Sequence, residues 1–392
     1  MRLVLYTGKG GVGKTTTAAA TAAFAASLGR RVLVASADAA HSLGDVLGER
    51  LGPEPRTLAP NLDAVEVDAR AETERHWGSI RDYLAQLFRH QGIEDVVADE
   101  LALLPGAEEL TTLLAIESFA TGGTYDFVVV DCAPTGAALR LLTMPEMARA
   151  GLRLVLRLQR VLASVVTPLA RTLVAVPLPG SEVFRDAEQL IFRRLAGLRT
   201  LLGDKRASVR LVVTPERMVI DEALRARTDL ALFELGCDAV VMNRLLPDGA
   251  AHEAYFRDWG RLQTERLAEV EARFAPLPVL RAPLAPDEVI GVAALARHGE
   301  ALFAGHAPDA VLCRERGLRF VRTKTGVRAT LLLPEARAED LDVVKLEGEL
   351  VIATGGQRRS LPLPRHVVPL TLARARLSDG TLTVDFAVAE PP

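Results

Sequence analysis

Lysine is scarce in this chain of 392 residues: only five of its 47 basic residues are lysine. Cysteine is scarcer still. Three cysteines, with no C-x-x-C pair, exclude a disulfide framework and are expected of a reducing, cytoplasmic compartment. No uncharged apolar run approaches the roughly 18 residues needed to cross a bilayer, so no integral membrane segment is expected. The start, MRLVLYTGKGG, has no basic and then apolar leader pattern. Net charge is −3 with a pI near 6.2, which gives no reason to expect nucleic-acid binding or a polybasic membrane anchor. What the chain does have is apolar content: 49% hydrophobic residues and a length that fits two or three domains.

Two of the five lysines fall within the first fourteen residues. Residues 2–6 (RLVLY) read as a buried strand. Gly8-Lys9-Gly10-Gly11-Val12-Gly13-Lys14-Thr15-Thr16 follows, and then an alanine-rich helix through Ser27. Strand, G-x-x-x-x-G-K-T and helix together form the context of a phosphate-binding loop. Glycines let backbone N–H groups converge on phosphate oxygens, and the helix N-terminus adds partial positive charge. In such a loop Lys14 reaches the β- and γ-phosphates of ATP, the Thr15 hydroxyl ligates magnesium, and Thr16 bonds the α-phosphate. Arginine's planar fork cannot replace a compact ammonium in so tight a site.

Further along, Arg31–Ser36 reads as a second buried strand running into A-D-A-A-H-S-L-G-D. Tyr125–Val130 reads as a third, ending in Asp131-Cys132-Ala133-Pro134-Thr135-Gly136. An apolar strand followed by Asp is where a carboxylate near magnesium belongs, because active residues gather at the carboxyl ends of strands in open α/β sheets. The expected fold is therefore α/β: a mostly parallel P-loop NTPase sheet with helical insertions, followed by an all-β sandwich.

The segment K-G-G-V-G-K-T resembles that of the signature-lysine branch of phosphate-loop ATPases. In that branch the early lysine, here Lys9, reaches the nucleotide of a partner subunit, which implies a homodimer closed across ATP. The phosphate loop alone would also suit chromosome-partitioning, septum-positioning or nitrogenase-iron-protein relatives. GKGGVGKTT, SADAAHSLGD, VVVDCAPTGAALRLL, VVTPERMVIDEALR, VVMNRLLP and LRAPLAPDEVIG, in that order, narrow the choice. Over residues 1–305 the chain resembles the arsenical-pump-driving ATPase family, which includes the ATPase that targets tail-anchored membrane proteins.

The resemblance implies roles. Asp38 would orient the attacking water, Asp131 would stand near magnesium, and Glu216 would contact the nucleotide. Asn243, expected to end a strand over Ala239–Met242, would read adenine, and Pro283 belongs to the segment Arg281–Pro286 covering the base. Hydrolysis of ATP, a homodimer and a hydrophobic or tail-anchored protein client follow from the same likeness. Two other readings stay open: a subunit driving arsenite efflux, and an ATP-gated holdase with little turnover. The chain departs from the family at Ala39 and Ala137, where proline and histidine are usual. It also lacks the cysteine pair that holds zinc between subunits, so no zinc is expected. Cys132 reads either as a small buried side chain or as a redox-reactive thiol.

Residues about 70–120 and 138–200 carry helical periodicity. Within Gly151–Pro177, Arg153, Arg157 and Arg160 form one polar stripe, and the broad apolar remainder reads as core or as a client groove. Beyond Phe303–Asp309, read as a linker, the period changes to two. Seven short strands between Leu318 and Phe386 predict a β-sandwich over residues 315–392, expected to fold independently. The run Leu361-Pro362-Leu363-Pro364 and the later A-R-L-S-D-G-T-L resemble an α-crystallin (small heat-shock protein) domain. There is no I-x-I tail.

Overall fold

The computed structural model describes residues 1–36, 42–90, 92–97, 107–131, 193–251, 253–314 and 317–388. Asp38, Ala39, Cys132, Ala137, the segment 151–177 and the last four residues lie outside these. The chain divides into two compact units. One comprises Met1–Val67, Phe119–Ala133 and Leu202–Pro392, the other Asp68–Ser118 and Pro134–Leu201.

The first unit is built on an eight-stranded sheet of β1 (Arg2–Thr7), β2 (Val32–Ser36), β3 (Arg56–Ala59), β4 (Leu62–Glu66), β5 (Phe127–Asp131), β6 (Ala207–Val213), β7 (Cys237–Leu245) and β8 (Val279–Pro283). Their order is β3-β4-β2-β5-β1-β6-β7-β8, parallel throughout except that β3 pairs antiparallel with β4. Every residue of β1, β2 and β5 is buried, as apolar runs flanked by helices on both faces require. The described helices are α1 (Lys14–Ser27), α2 (Ser42–Leu47), α3 (Ala69–His90), α4 (Ala107–Thr121), α5 (Leu195–Leu202), α6 (Arg217–Leu232), α7 (Asp248–Ala251), α8 (Arg257–Arg273) and α9 (Val292–Phe303). Helix α1 carries seven alanines, all buried, because it packs closely between the sheet and α9. Phe24 of α1 stacks on Phe303 of α9 with ring centroids 6.2 Å apart.

Within the second unit α3 and α4 are the long described helices. Arg194 donates to the Leu114 carbonyl of α4 at 2.7 Å and to Ser118 Oγ at 3.1 Å.

The C-terminal strands are β9 (Arg319–Arg322), β10 (Gly326–Leu332), β11 (Asp342–Leu346), β12 (Glu349–Thr354), β13 (Gln357–Pro362), β14 (Thr371–Ser378) and β15 (Thr381–Ala387). They form two antiparallel sheets, β14-β15-β10-β9 and β11-β12-β13. Alternating inward residues such as Val327, Ala329, Leu331, Ile352, Val384 and Phe386 make a shared core. Leu232, at the end of helix α6 of the ATPase part, is among the described residues of that same core.

Three expectations shift in detail. Strand β5 begins at Phe127 and takes in Asp131. Strand β7 continues past Asn243 to Leu245, with Arg244 at a φ of 59°. The 303–309 segment continues to residue 313 as a strap held against the sheet, more than a free linker. Phe303 is wholly buried, Arg210 donates to the Ala310 carbonyl at 3.1 Å, and Leu312 N donates to Asp238 Oδ2 at 3.3 Å. Among the described residues, no helix is long and apolar enough to cross a membrane.

Candidate functional site

Parallel pairing brings the carboxyl ends of β1, β5 and β6 to one edge: Tyr6 lies opposite Asp131, and Thr7 opposite Leu211. The loop Gly8–Gly13 leaves β1 at that edge and enters α1. Two of its glycines are obligatory for space as well as for backbone conformation. A Cβ on Gly8 would collide with the Val212 carbonyl oxygen, and one on Gly13 (φ 89°) with Asn243 Nδ2. Gly13 caps α1 with no side-chain hydrogen bond, and the first turn of α1 holds no acidic residue. Its leading N–H groups therefore point outward with the helix's positive end, an arrangement suited to an anion.

Lys14 Nζ donates to the Lys9 carbonyl at 3.1 Å, so the ammonium is folded over the loop. The Thr15 hydroxyl shares a 3.2 Å hydrogen bond with Ser42 Oγ, at the start of α2. Asp131 is buried at the end of β5. Gly10 and Gly11 are exposed, Val12 is buried, and Lys9 and Thr16 are half-buried. Helix α2 is tied to the sheet by Gly44 N, which donates to Glu66 Oε1 at 2.9 Å.

Beside the loop opens a cavity of about 810 Å³ lined by Gly13, Thr16, Asp45, Val46, Asn243, Arg244, the segment Pro283–Ile290 and His298. Asn243 and Pro283 thus come together with the loop. Glu216 does not line this cavity. It is exposed at the N-terminus of α6, where it accepts from Thr214 Oγ1 at 3.1 Å. Asp45, Val46, Arg244, Ile290 and His298 were given no role from the sequence. Asp45, Arg244 and Ile290 lie inside the quoted motifs, which could have pointed to them. His298 had no local signal, because only the packing of α9 on α1 brings it to the wall. Burial lowers the His298 pKa and favours the neutral imidazole.

The residues fit a nucleoside triphosphate with a divalent cation. There are uncapped helix amides and an ammonium for phosphate, the Thr15 hydroxyl at the start of α1 and the buried Asp131 carboxylate at the end of β5 for the cation, and a mixed apolar and polar cavity for a base. Among the described residues, no group of three or more His, Cys, Asp or Glu is placed to hold a metal ion by itself.

Comparison with known proteins agrees with this geometry. Residues 1–304 match the model of the anion-transporting ATPase family, and residues 324–386 match an HSP20-like domain found in such proteins. A Chlorobaculum tepidum protein provisionally named arsenical pump-driving ATPase is 35% identical over 98% of this chain and 96% of its own length. An uncharacterized protein of Streptomyces coelicolor is 34% identical over 99% of this chain and 97% of its own. The ATPase GET3 of Podospora anserina is 28% identical over 79% of this chain and 92% of its own.

Proposed function

Because the chain belongs to the anion-transporting ATPase family, we propose that it is a magnesium-dependent ATP hydrolase acting as a homodimeric switch in the cytoplasm, handling hydrophobic protein clients. The observation that carries the reading is the glycine loop: uncapped α1 amides under the Lys14 ammonium, next to a cavity with room for a nucleotide. When bound, magnesium supplies charge neutralisation between the phosphates. The Thr15 hydroxyl and the Asp131 carboxylate are the groups to hold it and its waters. Lys14 and the amides of residues 10–16 stabilise charge on the γ-phosphoryl oxygens as the bond to the leaving phosphate lengthens. Asp38 orients the attacking water, and Lys9 adds a positive charge from the partner subunit. Pro283 and the residues after it cover the base.

The handling of a hydrophobic client rests on the kinship with the GET3-type relative and on the appended sandwich. Arsenite would need two or three converging thiolates. Of the cysteines, Cys237 is buried in β7, Cys313 lies in the strap, and Cys132 is outside the described residues.

Phosphate release by purified protein tests the hydrolase reading. Wild-type protein should turn over ATP only with magnesium. Lys14→Ala should lose binding and turnover together. Asp38→Asn should keep binding and lose turnover by about 10²-fold or more, the usual worth of a positioned group in general acid–base chemistry. Magnesium-independent or absent turnover would overturn the reading. Normal turnover by Asp38→Asn would remove the role given to Asp38.

A further inference from the structure

The family resemblance makes Asn243 a reader of the adenine base, and its amide also has partners within the chain. Nδ2 donates to the Val12 carbonyl at 2.8 Å, and Oδ1 accepts from the Arg244 N–H at 2.9 Å. One N–H and one lone pair of the amide are engaged by backbone, which fixes its orientation and leaves a second N–H and a second lone pair for a ligand. The residue is only 7% exposed. Its Nδ2 also occupies the space where a side chain on Gly13 would go, so Gly13 and Asn243 fit only as a pair. Arg244 takes up a φ of 59°, unusual for a residue with a side chain, and lies on the cavity wall next to Asn243.

We propose that Asn243 is a positioning residue for the phosphate loop. It bolts the Val12–Gly13 turn to the end of β7, so that the α1 amides and Lys14 are pre-arranged, and it sets the turn that presents Arg244 to the cavity. The proposal rests on the nucleotide-binding reading above and deepens it. Its energetic logic is pre-organisation. A loop with four glycines within six residues (Gly8, Gly10, Gly11 and Gly13) loses much conformational entropy on ordering, and a buried hydrogen bond from a neighbouring strand reduces what phosphate binding must supply.

A base reader and a loop bolt differ in what happens with a ligand that has no base. Inorganic tripolyphosphate with magnesium is such a ligand. Calorimetric titration of wild type, Asn243→Ala and Asn243→Asp with ATP, GTP and tripolyphosphate separates the two. The bolt predicts that Asn243→Ala weakens tripolyphosphate about three- to ten-fold, as expected for one lost neutral hydrogen bond, and ATP by at least as much. A change in the ATP-to-GTP preference reports a contact with the base separately. Asn243→Asp, equal in size, should weaken tripolyphosphate more than alanine does, because it sets a carboxylate against the Val12 carbonyl. A mere packing role would spare this isostere.

Hydrogen exchange of the amides of residues 8–16, measured without any ligand, adds an arm that does not depend on nucleotide binding at all. Both variants should exchange faster there, with thermal unfolding showing that the rest of the fold is intact. Unchanged loop exchange would overturn the proposal. So would an Asn243→Ala protein that loses ATP while binding tripolyphosphate like wild type. If wild type binds neither ATP nor tripolyphosphate, the nucleotide reading fails, and loop exchange alone decides whether the bolt exists.

Discussion

Arg210 and Asp238 form an ion pair at 3.1 Å with both side chains wholly buried. Asp238 is shared. It also accepts from Arg2 at 2.7 Å and from the strap amide of Leu312, while Arg210 reaches Tyr6 Oη at 3.2 Å and lies over the Phe303 ring. Burial draws the Arg2 guanidinium down to about 10, with Asp238 pulling it the other way, so it remains charged at neutral pH. One carboxylate therefore joins β1, β6, β7 and the segment that leads to the sandwich. Asp238→Ala would leave two buried guanidinium groups uncompensated and should cost about 3–5 kcal/mol. Urea denaturation measures this, and a loss under 1 kcal/mol would mean that the network relaxes.

The sandwich should not melt by itself. Leu232 of α6 is inside its core, Glu335 N donates to Thr228 Oγ1 at 3.1 Å, and Glu335 pairs with Arg273 at 3.1 Å. Buried Arg359 of β13 lies over Phe233, the residue after α6, and pairs with Glu234 at 3.6 Å. Leu232→Ala removes a core side chain shared by both parts and should cost about 2–5 kcal/mol. In scanning calorimetry it should lower the unfolding of residues 319–388 and of the ATPase sheet together. A chain ending near Pro308 would expose this end of α6 and lose the strap bonds of Ala310 and Leu312. It should melt below the full chain. An early separate transition for the sandwich, unmoved by Leu232→Ala, would show two uncoupled domains.

The sequence was readable where local rules dominate. β1, the glycine loop and α1 follow from an apolar run, a phosphate motif and helix-forming alanines. All seven sandwich strands follow from period-two alternation and glycine turns. It was silent where distant segments meet. Nothing near Leu232 says that a helix end of the ATPase sheet completes a β-sandwich core. Nothing near Asp238 says that it gathers two arginines and a strap. Asn243 shows the same limit within the site: its motif pointed to the base, while its hydrogen bonds depend on how β7 passes the loop.

Lys9 is half-buried in a loop whose neighbours Gly10 and Gly11 are exposed, at the carboxyl edge of the sheet. If it serves a partner's nucleotide, Lys9→Ala should keep ATP affinity within about three-fold and weaken the dimer that ATP and magnesium close. Sedimentation velocity with a non-hydrolysable analogue should show a shift toward monomer or an open dimer, and turnover should fall with it. Sedimentation and turnover matching wild type would remove the partner role.

His298 makes a prediction about pH. It is half-buried on α9, on the cavity wall with Thr16, Asp45, Arg244, Asp287 and Glu288, and burial alone lowers its pKa below the ordinary 6.5. In the unfolded chain the same imidazole takes up a proton near the ordinary value. As pH falls below about 6.5, the unfolded state therefore binds more protons than the folded one, and stability falls. The loss levels off once the pH is below the folded value, where both states are protonated. Above the ordinary value neither state is charged, and this histidine contributes no slope. Other histidines and the carboxylates titrate as well, so the informative quantity is a difference between two proteins. His298→Gln keeps a polar side chain of similar reach but cannot titrate. Urea midpoints between pH 5 and 8 should show wild type losing stability relative to His298→Gln on acidification, with the two curves parallel above pH 7. Curves that stay parallel down to pH 5 would mean that His298 is solvated in the folded protein, and that the wall formed by α9 is more open to water than its packing on α1 implies.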